Sequence, residues 1–208
     1  MKKFQAIPTR LRHYIPILSL LILGAGLISA CASGLTSRDS AETADGSQTR
    51  APAAQENAAS NFEISLYQDS DEVGAETVEL FDLLNKEKPI VLNFWAGLCP
   101  PCRLEMPDLD RVYQNHKDEL ILIGVDIGPF TNLGSREDGR ELLRELDVRY
   151  PSGTTFNESV LQEYEVLGMP STYFIKPDGT IHETWSGLLT EDKMEELVSE
   201  LLAASEGS

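Results

Sequence analysis

Two cysteines separated by two prolines, Cys99 and Cys102, follow closely on a short apolar segment. That segment, Pro89–Ala96, is nearly continuous in apolar residues and contains β-branched and aromatic side chains, which predicts a strand buried on both faces. From about Cys99 to Asn115, apolar residues recur at helical spacing, so we expect a helix to begin at the first cysteine. This junction favours an α/β fold in which both sulfurs lie at one helix N-terminus.

The position of the cysteine pair predicts dithiol redox chemistry. Unpaired N–H groups and the positive end of the helix dipole favour a thiolate at Cys99, and a thiolate is the species that attacks disulfides. The spacing also lets the two sulfurs close a small ring. Because Pro100 and Pro101 have no N–H group, the Cys102 N–H is expected to be the nearest remaining donor to the Cys99 sulfur.

Other sites that use paired cysteines fit this sequence less well. A structural zinc site needs two further ligands, and residues 61–208 offer only His116 and His182 beyond the pair. Covalent haem attachment needs a histidine directly after the second cysteine, where Arg103 stands. We therefore expect neither a metal nor a cofactor at this site.

The first 30 residues have the composition of an export signal. Residues 1–30 contain four basic side chains and no acidic one, and residues 14–30 form an apolar run that ends in small residues. A permanent membrane span is the alternative, because about 17 apolar residues is near the lower limit for crossing a bilayer. Residues 28–31 resemble a bacterial lipobox, so we predict a lipoprotein signal peptide, lipidation of Cys31 and an extracytoplasmic protein anchored to the bacterial cell membrane.

The remaining chain divides into a polar segment and one domain. Residues 31–60 have few large apolar side chains, so we predict that the lipidated cysteine is followed by a flexible tether. Residues 61–208 suit one folded domain and carry 11 basic and 30 acidic side chains, a net charge of −19 that makes nucleic acid an unfavourable partner. The acidity has two interpretations that stay open, a well-solvated surface and attraction to basic client proteins.

Strand and helix patterns alternate through this domain. The last helix is expected near Thr190, a plausible N-cap that precedes two acidic residues. The pattern predicts an α/β domain with a mixed central sheet. The remaining predicted elements are strands at 61–68 and 120–126, a short element at 77–86, helices at 136–146 and 158–166, and a hairpin of strands 171–175 and 180–185.

Five short motifs together resemble the TlpA/ResA branch of the thioredoxin superfamily. The resemblance covers roughly residues 62–203 and implies a thioredoxin-like fold with an extra N-terminal β-hairpin and an insertion near residues 129–151. Members of that branch are membrane-anchored thiol-disulfide oxidoreductases outside the cytoplasm, which agrees with the lipobox. The motifs are Phe94-Trp95-Ala96, Cys99-Pro100-Pro101-Cys102, Glu105-Met106-Pro107, Gly168-Met169-Pro170-Ser171-Thr172 and Lys176-Pro177-Asp178-Gly179.

The resemblance also implies residue roles. Cys99, Cys102 and Glu105 are expected to be catalytic, with a buried Glu105 taking the proton of Cys102; a solvated first-turn glutamate is the alternative. The family pattern places a cis peptide bond between Met169 and Pro170, and implies that the backbone at residue 169 pairs with an extended client.

Two further positions follow from the same pattern. Trp95 is expected to join Met169 and Pro170 in binding the client. Asn93 occupies a place where cytoplasmic thioredoxins carry a buried aspartate, which would leave proton transfer to Glu105, unless Asn93 is simply a satisfied core amide.

The expected activity is reduction of disulfides in client proteins, with cytochrome c maturation as one purpose and a membrane electron-donor protein as the source of electrons. Two other functions fit the same fold. A peroxiredoxin-type thiol peroxidase would need a threonine three residues before its cysteine, where Ala96 stands. A copper-binding assembly factor would need a distant histidine, for which His182 is the candidate.

Overall fold

A computed structural model of the chain describes residues 57–206. The predicted signal peptide, Cys31 and most of the predicted tether lie outside these residues. The strands are β1 (Glu63–Gln68), β2 (Thr77–Glu79), β3 (Ile90–Trp95), β4 (Ile121–Asp126), β5 (Ser152–Thr154), β6 (Ser171–Ile175) and β7 (Ile181–Ser186). The helices are α1 (Ser70–Val73), α2 (Leu80–Leu84), α3 (Pro100–His116), α4 (Gly128–Thr131), α5 (Arg136–Leu146), α6 (Val160–Glu163) and α7 (Glu191–Ser205).

All seven strands join one mixed sheet in the order β2-β1-β5-β4-β3-β6-β7. The central strands β3, β4 and β5 run parallel, whereas β6 pairs antiparallel with β3 and β7 antiparallel with β6. At the other side, β1 and β2 form an antiparallel hairpin that attaches to β5. The expected mixed sheet with an added N-terminal hairpin is therefore confirmed.

The buried strand before the cysteines separates two hydrophobic cores. Every residue of β3 is buried, and its side chains alternate between the two faces of the sheet. Val91 and Trp95 belong to the core beneath α3, α5 and α7, whereas Leu92 and Phe94 belong to the core on the opposite face. Burial on both faces explains why this strand is almost continuously apolar.

Most predicted elements are present, but strand β5 and the short helices α1 and α4 were missed, and one helix is shorter. Helix α5 has the predicted bounds, and α3 continues through Pro107. The helix predicted at residues 158–166 covers only Val160–Glu163. Strand β5 was not predicted, because its three residues lack large apolar side chains, although it pairs with both β1 and β4.

The folded domain begins before the predicted boundary at residue 61. Ala58 forms a β-bridge with Thr180, and the Ala59 N–H donates to the Gly179 carbonyl at 2.9 Å. The Tyr164 hydroxyl donates to the Ser60 carbonyl at 2.6 Å. The prediction that residues up to 60 belong to a tether is thus corrected, because these contacts place the last residues of that segment in the fold.

No helix within residues 57–206 has the length and apolar character that a membrane span requires. The longest, α3, has seventeen residues and presents polar side chains along its exposed face.

Candidate active site

The two cysteines meet at the start of α3, directly beyond the end of β3. Cys99 is the N-cap of the helix and is joined to Cys102 by a disulfide, with the two Cα atoms 5.3 Å apart. The Cys102 N–H donates to the Cys99 sulfur at 3.3 Å, as expected from the two prolines. Cys99 retains 4% of its surface exposed, whereas Cys102 has none. Only Cys99 is therefore open to an external thiol.

Glu105 lies one helical turn beyond Cys102 and is completely buried. One carboxylate oxygen accepts a hydrogen bond from the Asn93 side-chain amide at 2.9 Å, and the other accepts from the Leu189 N–H at 2.9 Å. Burial raises the pKa of Glu105 to about 7, although both hydrogen bonds favour the charged form and oppose that rise. The solvated alternative for Glu105 is thus wrong, and this carboxyl group titrates near neutral pH.

Asn93 connects Glu105 to the strand that follows Pro170. Its amide nitrogen donates to the Glu105 carboxylate and also to the Thr172 hydroxyl at 3.0 Å. Its carbonyl oxygen is buried and has no partner within residues 57–206. Asn93 is therefore only partly satisfied, and the bond to Thr172 holds the amide that donates to one oxygen of the Glu105 carboxylate.

The peptide bond between Met169 and Pro170 is cis, as the resemblance implied. Pro170 is buried and Met169 is partly exposed. The Ser171 hydroxyl donates to the Gly168 carbonyl at 2.8 Å, and the Gly187 N–H donates to the Pro170 carbonyl at 2.9 Å. The backbone N–H and carbonyl of Met169 make no hydrogen bond with any residue from 57 to 206, so both remain available.

Trp95 does not occupy the position expected of a client-binding side chain. It is completely buried in the core beneath the cysteines, and its backbone carbonyl accepts from the Ile127 N–H at 2.9 Å. A side chain with no exposed surface cannot contact a docked client. The expected role in client binding is therefore corrected to a role in packing behind the disulfide.

A second buried carboxylate, Asp126, ends strand β4 on the opposite side of the cysteine loop. Its oxygens accept hydrogen bonds from the Gly128 N–H at 2.9 Å and from the Tyr67 hydroxyl at 3.1 Å. Burial raises the pKa of Asp126 to about 6. The sequence analysis did not identify Asp126 as a residue of the site. The available signal was an acidic residue at the end of β4, the buried strand that pairs with β3.

The segment after Asp126 supports the cysteine loop through its backbone. The Leu98 N–H, one residue before Cys99, donates to the Leu133 carbonyl at 2.8 Å. Gly97 packs so closely against α5 that a Cβ atom there would lie 2.6 Å from the carbonyl carbon of Asp138. The loop before the disulfide is thus held tightly on this side.

Within residues 57–206, no three His, Cys, Asp or Glu side chains are grouped so that they could hold a metal ion. His182 lies exposed on β7, the outer strand next to β6. The described residues therefore give the copper alternative no ligand set that combines His182 with the two cysteines.

Comparisons with known proteins place the chain in a family. The sequence profile of the AhpC/TSA family matches residues 56–184. The thiol-disulfide oxidoreductase ResA from Oceanobacillus iheyensis is 36% identical over 67% of this chain and 69% of its own length. This chain belongs to the AhpC/TSA family. Its similarity to ResA places it among the thioredoxin-like thiol-disulfide oxidoreductases of that family.

Solved structures show the same fold. StoA from Bacillus subtilis superposes with a TM-score of 0.55 at 20% identity, covering 68% of this chain and 98% of its own. The exposed lipoprotein thioredoxin Etrx1 from Streptococcus pneumoniae superposes with a TM-score of 0.57 at 25% identity, covering 68% of this chain and 99% of its own. The domain therefore has a thioredoxin-like fold, as the motifs implied.

Proposed function

We propose that this protein reduces disulfides in client proteins outside the cytoplasm, using Cys99 as the attacking thiolate and Cys102 as the resolving thiol. The observation that carries the proposal is that, of the two described cysteines, Cys99 alone is exposed. The cis Met169–Pro170 bond precedes β6, which pairs with the strand that leads to Cys99, and Met169 packs against the core that contains both cysteines. The free backbone groups of Met169 suit an extended client segment that adds to the sheet as a strand. A client disulfide bound there would lie next to the one accessible sulfur.

The first step transfers one client sulfur to the enzyme. The Cys99 thiolate attacks a sulfur of the client disulfide, so the client S–S bond breaks, a mixed disulfide forms and the other client sulfur leaves as a thiolate. The helix N-terminus favours the attacking thiolate. The unpaired N–H and carbonyl groups of Met169 would hold the attached client in place.

The second step uses the buried carboxylate. Glu105 accepts the Cys102 proton, and the resulting thiolate attacks the Cys99 sulfur. The Cys99–Cys102 disulfide forms, the mixed disulfide breaks, and the second client sulfur leaves as a thiolate that then takes up a proton. The two hydrogen bonds from Asn93 and Leu189 hold the Glu105 carboxylate in position. Its pKa of about 7 suits a group that must take and release a proton near neutral pH.

The cycle ends with the protein oxidised, having passed two electrons to the client. A membrane dithiol protein acting as electron donor would attack Cys99 and restore the dithiol. The reduction potential decides the direction of flow. A value near about −270 mV or below is expected for a reductase, and a value near about −120 mV would instead indicate an oxidase.

The anchor and the client belong to the same proposal. Lipidation of Cys31 would keep the domain at the outer surface of the cell membrane, and the similarity to Etrx1, an exposed lipoprotein, supports that placement. Mass spectrometry of the mature protein is expected to find a diacylglyceryl group on Cys31, and Cys31→Ala should release the protein from membranes. Apocytochrome c is the client class we propose, because its haem-binding cysteines must be reduced before attachment.

A trapping experiment tests the chemistry. Cys102→Ala should accumulate a mixed disulfide with oxidised insulin or a native client, which dithiothreitol releases, because the resolving thiol is missing. Cys99→Ala is the matched control and should trap nothing. Equal trapping by both variants, or by neither, would overturn the assignment of Cys99 as the attacking residue.

The peroxidase alternative lacks a supporting feature at the site. Ala96 occupies the position three residues before Cys99, is completely buried and offers no hydroxyl group to orient a peroxide. Hydrogen peroxide is therefore expected to oxidise the reduced protein no faster than it oxidises an ordinary protein thiol.

A further inference from the structure

Arg136 is unusual among the arginines of this acidic domain. The other five arginines of residues 57–206 each form an ion pair with at least one carboxylate. Arg136 forms none within the same residues, and its buried Nε atom has no hydrogen-bond partner there. Its Nη2 atom donates to the Thr155 carbonyl at 3.5 Å, which is long for a hydrogen bond.

The Arg136 guanidinium lies over an exposed aromatic ring. Its central carbon is 4.2 Å from the centre of the Phe156 ring, and 66% of the Phe156 surface is exposed. Stacking on the ring holds the guanidinium in place and leaves its edge free for a carboxylate. Asp126 attracts Arg136, but the oxygens of Asp126 are buried and already accept from Tyr67 and Gly128.

A series of contacts leads from the disulfide towards this arginine. An open groove of about 380 Å³ beside Cys99 is lined by Leu98 and Leu104. Leu98 contacts the segment that leads into α5, since its N–H donates to the Leu133 carbonyl and its side chain lies against Gly134. Arg136 follows two residues later, as the first residue of α5.

Three exposed apolar side chains lie along these contacts. Leu98 is 59% exposed, Leu133 is 37% exposed and Phe156 is 66% exposed. We call these three residues the apolar track. It begins beside the accessible cysteine and ends under an arginine that has no ion-pair partner in the described residues.

We propose that the apolar track and Arg136 form a client subsite that binds an extended segment with apolar residues near the reactive cysteine and a carboxylate further along. The inference rests on the proposed function and adds the chemical class of the client sequence. The apolar side chains would cover the track, and the client carboxylate would accept two hydrogen bonds from the guanidinium. The net charge of −19 on residues 61–208 makes this local positive site selective, because a carboxylate elsewhere on the surface would be repelled.

Synthetic peptides provide the test. Each peptide carries one cysteine as a mixed disulfide with 2-mercaptoethanol, leucines beside it, and a glutamate placed from one to six residues away on either side. A glutamine peptide matches each one. With the reduced full-length protein, the second-order rate constant should be about fivefold higher for glutamate than for glutamine at the best position, the effect of one partly exposed ion pair.

Variants then assign that preference to Arg136. Arg136→Gln should bring the glutamate-to-glutamine ratio close to one, and Arg136→Lys should keep part of it, because lysine retains the charge without the planar fork. Arg144→Gln is the control, since Arg144 lies on the same helix but pairs with Glu137 and Glu141, and it should leave the ratio unchanged. Phe156→Ala should slow the reaction with both peptides.

The outcomes separate the two proposals. If no peptide is reduced, the proposed function fails. If peptides are reduced but glutamate is preferred at no position, or if Arg136→Gln keeps the full preference, the subsite is wrong while the proposed function stands. The comparison of glutamate and glutamine peptides on the unaltered protein decides whether a carboxylate is preferred, even if Arg136→Gln does not fold.

Discussion

The cysteine loop lies between two buried carboxylates that differ in what they hold. We call Glu105 with Asn93 and Leu189 the Glu105 side, and Asp126 with Tyr67 and Gly128 the Asp126 side. Burial raises the pKa of both carboxyl groups, to about 7 for Glu105 and about 6 for Asp126. Each accepts one backbone N–H and one side-chain donor.

The partners of each carboxylate show why similar chemistry gives different roles. Glu105 shares helix α3 with Cys102 and lies one turn away, and the proposed mechanism therefore uses it to exchange a proton with the Cys102 thiol. Asp126 instead lies at the end of β4, where it accepts a hydrogen bond from the Gly128 N–H. Gly128 begins the segment that contains Leu133, and the Leu133 carbonyl in turn accepts from the Leu98 N–H in the cysteine loop. A raised pKa alone therefore does not identify a catalytic group, and position relative to the sulfur decides.

The largest expected difference between the two sides is in the resolving step. Glu105→Gln should slow the decay of a preformed mixed disulfide by about a hundredfold near neutral pH, the usual contribution of a general base. In the unaltered protein the rate should rise with pH through about 7, because the carboxyl group must lose its proton before it can accept another. Glu105→Gln should lack this inflection in a single-turnover pH profile.

Asp126→Asn is the comparison for that experiment, since it replaces a similarly buried carboxylate by an amide of the same size. It should change the rate of the resolving step by less than about threefold, because no proton passes through it. Equal slowing by the two variants would contradict the distinction between the two sides.

A smaller difference, in the free energy of unfolding, is expected between the loop before the cysteines, which packs against α5 near Asp126, and the loop before the cis peptide bond. An alanine Cβ at Gly97 would lie 2.6 Å from backbone atoms of both Asp138 and Gly139, so Gly97→Ala should lower the free energy of unfolding by about 2 kcal/mol. A Cβ at Gly168, beside the cis peptide bond, would meet nothing within 4 Å. Gly168→Ala should therefore change stability by less than about 0.5 kcal/mol.

Urea unfolding followed by tryptophan fluorescence measures both glycine variants. If both variants lowered the free energy of unfolding equally, the loops at Gly97 and Gly168 would be packed equally closely. The contrast drawn from the backbone contacts of Gly97 would then be wrong.

The smallest expected effect concerns the hydrogen bond between Tyr67 and Asp126. Tyr67→Phe should lower the free energy of unfolding by about 1 kcal/mol. It should also raise the Asp126 pKa above its value of about 6, because the hydroxyl favours the charged carboxylate.

The sign of the pH effect follows from proton counting. Between about pH 4 and 6 the unfolded chain has released the Asp126 proton while the folded chain still holds it, so stability falls as pH rises. Tyr67→Phe should extend this fall to higher pH. Tyr164→Phe is the control, since its hydroxyl donates to the Ser60 carbonyl, and it should lower stability without moving the pH range.

The sequence predicted the parts of this fold that carry strong local signals. A continuous apolar run located β3, and apolar side chains at helical spacing located α5. Strand β5 escaped prediction because its three residues, Ser152–Thr154, are small or polar and belong to the sheet only through pairing with β1 and β4. Such non-local pairing leaves no periodic signal.

The site residues likewise divide into those with a local sequence signal and those that depend on distant contacts. Cys99, Cys102 and the cis bond before Pro170 follow from short motifs, and the burial of Glu105 agrees with one of the two alternatives considered. The position of Trp95 was not predictable from its motif, because only the register of Trp95 with Asp126 and the packing of the core decide that its side chain faces inward. Asp126 itself was missed because its partner Tyr67 is 59 residues away along the chain.

Of the two cysteines within residues 57–206, only Cys99 is exposed, and this has a kinetic consequence. Since Cys102 has no accessible surface, the proposed cycle requires an incoming electron donor to attack the same Cys99 sulfur that a client would occupy in the mixed disulfide. The donor and the client therefore exclude each other and must take turns at one atom. Steady-state turnover should follow a ping-pong scheme, in which the client reacts with the reduced enzyme and the donor with the oxidised enzyme. A high concentration of either substrate should inhibit, because that substrate then also occupies the enzyme form with which the other must react.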